Sequence, residues 1–106
     1  MKSSDRARYE AKARVIKALA HPSRLVIVEE LAKGERCVCE LTEIVGADMS
    51  TVSKHLSLLK NAGIVQDSKR GLQVFYRLKV PCLPQFFNCI EAVMKSAARE
   101  YAAAVR

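Results

Sequence analysis

No run of about 18 apolar residues occurs in this chain, so no membrane span is expected. The basic opening stretch, MKSSDRARYEAKARV, is not followed by an apolar core, so no secretory signal is expected either. A cytoplasmic location follows, where the four cysteines, Cys37, Cys39, Cys82 and Cys89, stay reduced instead of forming a disulfide framework. Repeats, low-complexity tracts and linkers are missing, and 106 residues suggest one domain spanning 1–106. Enzyme signatures are missing as well. There is no Ser-His-Asp set, no Gly-rich phosphate loop and no paired-carboxylate cleft, and the thiols are not spaced Cys-x-x-Cys. Acid is in deficit: 18 Lys and Arg against 11 Asp and Glu leave a net charge of +7. That surplus points to a polyanionic partner, nucleic acid before membrane.

What is present is organised around Asp48 to Lys60, DMSTVSKHLSLLK. Asp48 or Ser50 can cap a helix by accepting from the free amides of its first turn. Val52, Leu56 and Leu59 recur at i, i+4 and i+7, one apolar stripe. Ser50, Ser53, Lys54, Ser57 and Asn61 form the opposite stripe, with a cation, small hydrogen-bonding groups and no acid. A solvated helix face usually mixes both signs. This one suits phosphate oxygens and base edges in a major groove of double-stranded DNA.

The flanks agree. A first helix is expected over 5–20, with Tyr9, Ala13, Ile16 and Ala20 on one face and a largely basic remainder. Pro22 opens a second helix to Lys33, and Gly34 stops it. Glu35 to Cys39 reads as short and extended. A third helix, about Cys39 to Val45, ends at Gly46 and leads into the central helix. Short helix, tight turn and longer helix over 39–62 make a helix-turn-helix. Ile64 to Ser68 and Leu72 to Leu78 then read as two strands about a Lys69-Arg70-Gly71 turn. This hairpin, 64–79, has the position of a wing. Lys69 and Arg70 at its tip, with Arg77 and Lys79 near its base, are candidates for phosphate or minor-groove contact. A last helix, 83–103, carries a wide apolar face of Phe86, Ile90, Val93, Ala97 and Tyr101, widened by Phe87, Met94 and Ala98. That face needs a cover, and the first helix has a matching stripe. The expected architecture is mainly α with a small β-hairpin (α+β), a winged helix-turn-helix forming a homodimer through its first and last helices.

With these residues in place, the chain resembles the arsenic-repressor (ArsR/SmtB) family. KALAHPSRLVIVEEL is similar to the family's second-helix signature, STVSKHLSLLKNAGIV to its recognition helix and KRGLQVFYRL to its wing. The resemblance implies an operator-bound homodimeric repressor released by an inducer. It assigns DNA contact to Ser50, Thr51, Ser53 and Lys54, with Ser57 on the same face and Lys69 and Arg70 on the wing. His55 also sits in the family pattern. Its place at the edge of the apolar stripe suggests that it orients the helix by a hydrogen bond.

GERCVCEL carries the question of the inducer. Cys-x-Cys in an extended segment puts both thiolates on one face, which suits a soft ion such as As(III), Sb(III), Cd(II) or Pb(II). A nearby helix N-terminus favours the thiolate form. The motif resembles the family's CVCDL arsenite and antimonite site, but Thr42 stands where that motif's third thiol would be. Cys82 or Cys89, from either subunit, could supply it; both could equally be buried apolar cysteines. The last-helix zinc or nickel site of other members is not expected, because 83–106 holds no histidine and only Glu91 and Glu100 as acids. The alternatives are a repressor of the same family switched by thiol oxidation, a small-molecule inducer that ignores the thiols, or a protein-interaction module. A direct Cys37–Cys39 disulfide closes a small strained ring and is not expected.

Overall fold

The computed structural model describes residues 1–105. The element order is α1 Ser3–Leu19, α2 Pro22–Lys33, β1 Arg36–Cys37, α3 Val38–Val45, α4 Met49–Asn61, β2 Val65–Arg70, β3 Gln73–Leu78 and α5 Leu83–Ala104. Local chemistry sets most boundaries. His21 caps α2, its Nδ1 accepting from the Ser23 amide at 3.1 Å, and Pro22 follows at the first helical position. Asp48, not Ser50, caps α4 by accepting from the Thr51 amide at 3.1 Å. Between α3 and α4, Gly46 takes the left-handed conformation at φ 75°, which lets the chain reverse within a few residues.

The core sits where α2, α3 and α4 meet the sheet. Ile27, Val28 and Leu31 of α2, Leu41 of α3, and Val52, Leu56 and Leu59 of α4 are buried together with Ile64, Val65 and Tyr76. The stripe at 52, 56 and 59 is thus the inner face of α4. Burying a side chain such as Leu56 is worth about 1.5–3 kcal/mol, so this stripe fixes which face of α4 looks outward.

The sheet departs from the expected hairpin in two ways. It has three antiparallel strands in the order β1-β3-β2, because Arg36 and Cys37 pair with Tyr76 and Phe75. Extended backbone beside an open sheet edge has unpaired amides and carbonyls, and β3 supplies partners for them. The hairpin also turns later than expected. β2 continues through Arg70, which registers with Gln73, so Lys69 and Arg70 are strand residues and the tip is Gly71-Leu72. Leu72 is fully exposed there, outside the strand alternation, whereas Tyr76 is buried and Val74 and Leu78 are partly so.

The terminal helices are different. α5 buries only Phe87, and Phe86, Ile90, Val93, Met94 and Tyr101 are exposed. On α1, Tyr9, Val15 and Ile16 are exposed too. An apolar groove runs between the two, lined by Val15, Ile16 and Leu19 on one side and Leu83 and Phe86 on the other. No helix among the described residues is long and apolar enough to cross a membrane.

Candidate nucleic-acid interface and thiol pair

Since Val52, Leu56 and Leu59 point inward, helical spacing turns Ser50, Thr51, Ser53, Lys54 and Ser57 outward, and all five are exposed. Lys54 has no ion pair among the described residues. Ser50 is partly committed, its hydroxyl donating to Asp48 Oδ2 at 3.0 Å. Hydrogen bonds from the Thr51 side chain and amide and from Ser50 hold the Asp48 carboxyl below its usual value, so it stays ionised as the cap. At the other end, Lys60 meets Asp67 of β2 at 3.0 Å, tying α4 to the wing.

His55 is placed as expected, at the edge of the apolar stripe, but its surroundings differ. Its buried Nδ1 has no hydrogen-bond partner among the described residues, and its ring packs on His21 with centroids 4.4 Å apart. Its contact with the start of α2 is made by the ring, and the expected hydrogen bond is not formed by Nδ1 among the described residues. Burial lowers its pKa, and the nearby His21 and Arg24 add to the shift.

The wing cations are not equivalent. Lys69 is exposed and unpaired among the described residues. Arg70 makes a two-pronged bond to the Glu35 carboxylate at 2.7 and 2.8 Å and lies over Phe75 at 4.7 Å from the ring centroid. The expectation of a freely presented Arg70 at a turn is therefore corrected. As a strand residue near the tip it reaches back to the segment before β1, where Glu35 waits. Nothing in the hairpin's own sequence signals this, because Glu35 lies 35 residues away.

Cys37 and Cys39 come together at a strand–helix junction. Cys37 is the cap of α3: its sulfur accepts from the Glu40 amide at 3.3 Å while Glu40 Oε1 accepts from the Cys37 amide at 3.1 Å. Cys39 is already helical, so the pair does not lie along one strand. Two strand steps would separate the Cα atoms by roughly 6.6 Å; entry into the helix shortens this to 5.4 Å. The two sulfurs are joined as a disulfide, against the expectation that so small a ring would not form. Cys37 is buried and Cys39 exposed. Cys82 and Cys89 are exposed and free, not buried apolar cysteines. No third His, Cys, Asp or Glu gathers with the pair among the described residues. A cleft of about 250 Å³ opens beside it, bounded by Met49 and Ser53 of α4 and by Leu72 and Val74 of the wing. Sequence reasoning missed Met49 and Leu72 here, because neither belongs to a recognisable ligand pattern.

Known proteins share this arrangement. Residues 21–67 match the family model for bacterial regulatory proteins of the arsR family. The chain is 41% identical over 69 residues to the transcriptional repressor SmtB of Mycobacterium tuberculosis, covering 65% of this chain and 51% of SmtB. It is 39% identical over 82 residues to the arsenic resistance transcriptional regulator ArsR1 of Pseudomonas putida, covering 76% of this chain and 61% of that protein. The chain thus spans about half to three fifths of the length of these relatives. Among solved structures, the homodimeric winged helix-turn-helix DNA-binding domain of a Mycobacterium bovis protein superposes with a TM-score of 0.78 at 30% identity, covering 94% of this chain and 93% of that one. Sequence and fold agree with the order of helices, turn and wing derived above, and on both grounds the chain belongs to the ArsR family of bacterial winged-helix regulators.

Proposed function

We propose that the chain acts as a homodimeric repressor that binds double-stranded operator DNA through α4 and the wing, and that a thiophilic ligand held by reduced Cys37 and Cys39 releases it. One observation carries the second half: the thiol pair and the reading helix share a cleft, with Met49 and Ser53 on its wall. A ligand there touches the start of α3 and the start of α4 at once. It relieves repression only if it binds the DNA-free arrangement better than the DNA-bound one. As(III) or Sb(III) is the ligand class suggested by the resemblance to arsenite-responsive members, and ArsR1 carries arsenic in its name. Within one chain the cleft offers such an ion two thiol sulfurs only, so Cys82 or Cys89 of either subunit is the remaining thiol source. In DNA contact we assign Lys54, Ser53, Ser57, Thr51 and Ser50 to the groove and Lys69, with Arg70 once released from Glu35, to phosphates; His55 positions the helix. The exposed apolar faces of α1 and α5 supply the dimer surface, which spaces two readers along successive turns of the groove.

The deciding experiment is an anaerobic titration of the reduced protein with arsenite, followed by near-ultraviolet sulfur-to-arsenic absorption and by release of an operator selected from random duplexes. Wild type is expected to give a saturable band and release. Loss of both in Cys37→Ser/Cys39→Ser supports the reading, and unchanged release in that variant rejects it. Thiol oxidation is a second reading, favoured by the disulfide between Cys37 and Cys39. It requires that peroxide release the DNA and that a dithiol reductant restore binding.

A further inference from the structure

Among the described residues the thiol pair lacks a third partner of the usual kinds, yet a sulfur-bearing residue, Met49, lines the same cleft. Met49 is the first residue of α4 and lines the cleft with Cys37 and Cys39. We propose that Met49 completes a three-sulfur site for a monovalent coinage-metal ion, silver(I) or copper(I). The proposal rests on the reading that reduced Cys37 and Cys39 bind a soft ligand, and it names the ion class and the third donor.

The donor set decides the class. A thioether is neutral and soft, and thiolate with thioether is the combination that selects copper(I) over harder divalent ions. Zinc favours four donors drawn from Cys, His and carboxylate, and no third such residue gathers with the pair among the described residues. Charge fits as well. Binding converts two thiols and one M⁺ into a bis-thiolate complex of charge −1 with release of two protons, and Met49 adds without losing a proton. That excess negative charge lies at the N-terminus of α3, where Cys37 already accepts a backbone amide, and beside the N-terminus of α4. The α3 end presents partial positive charge, whereas the α4 end already holds the ionised Asp48 cap. The half-buried Val74 gives the cleft one apolar wall. The disulfide must first open: a dithiol reductant supplies two electrons and is oxidised to its own disulfide, and the two cysteines take up two protons.

Met49 also makes the coupling direct. An ion held by the two cysteines alone touches α3, whereas one that also takes Met49 fixes the first turn of the reader, the turn that carries Ser50 and Thr51. Ion binding and DNA binding then compete over the orientation of the same turn.

The test uses reduced full-length protein carrying Cys82→Ser and Cys89→Ser, labelled with ¹³C at the methionine methyls and titrated anaerobically with silver nitrate. Met1 and Met94 serve as internal controls. The Met49 methyl resonance is expected to shift, alone, to saturation at one ion per chain. Met49→Leu, which keeps approximate volume and apolar character at an exposed site, is expected to weaken silver binding about tenfold or more in competition with a chelator, the scale on which metal sites respond to loss of a supporting group. A stationary Met49 methyl while silver still binds through the cysteine pair, or equal affinity in Met49→Leu, overturns the three-sulfur site and leaves the thiol reading intact. Equal silver binding after Cys37→Ser/Cys39→Ser overturns both.

Discussion

The reading helix and the wing both carry cations toward the same proposed partner, but they hold them differently. On α4, Lys54 stands on an exposed face with no ion-pair partner among the described residues. On β2, Arg70 is held by both oxygens of Glu35 and by the face of Phe75. A free cation gives its full interaction to DNA. A paired one must first give up its partner, so part of its phosphate energy only replaces what was lost. Position alone, which is what a sequence shows, does not separate the two cases.

The sharpest way to break this comparison is to remove the free cation. Lys54→Ala is expected to lose about 1–3 kcal/mol of operator binding if it reads a base, roughly 5- to 150-fold. If it only neutralises a phosphate, the loss is uniform across sequences and the slope of log affinity against log salt falls by about 1. Fluorescence anisotropy at several salt concentrations separates these outcomes. An unchanged affinity and slope would remove α4 from the interface. Arg70→Ala, measured alongside, is expected to cost less than Lys54→Ala.

A gentler change sharpens the contrast from the other side. Glu35→Gln keeps the shape of the partner but removes its charge, which frees Arg70 for phosphate. The exposed pair itself is worth about 0–1 kcal/mol, so the expected gain in operator affinity is at most about fivefold. The salt slope should steepen by about one unit at the same time. Should Glu35→Gln weaken binding instead, the pair would be a device that aims the wing, not a restraint on its charge.

How much of this was legible in the sequence follows from range. The inner stripe of α4, Pro22 at the first position of α2, the cap at Asp48 and the stop at Gly46 depend on neighbours within a turn or two, and they stand where spacing puts them. The third strand, the Glu35–Arg70 pair and the His21–His55 contact join residues more than thirty positions apart in chain, which no periodicity reports. The thiol pair lies between these cases. Its identity as the candidate ligand motif was local. Its geometry depended on whether α3 begins before or after Cys39, a one-residue boundary that turns a flat pair on a strand into a close pair at a helix start. The cleft beside it needed the whole fold, because Met49, Leu72 and Val74 come from two further elements.

The smallest expected effect concerns the inner edge of the reader, where orientation is set instead of contact. His55 is half-buried with Nδ1 unpartnered, and burial, then His21, then Arg24 lower its pKa from 6.5. In the unfolded chain the ring binds a proton more readily than in the folded one. Stability from the neutral ring is therefore full above about pH 6.5 and is lost as pH falls through the lower folded value. The melting temperature should drop between about pH 7.5 and pH 5, and His55→Gln should flatten that dependence. Ring titration by NMR with a midpoint at or above 6.5 would contradict the assignment. If operator affinity falls over the same pH range in wild type but not in His55→Gln, the ring contact with His21 holds the reader in its DNA-competent orientation, and the helix's unpaired outer face depends on a neutral histidine at its inner edge.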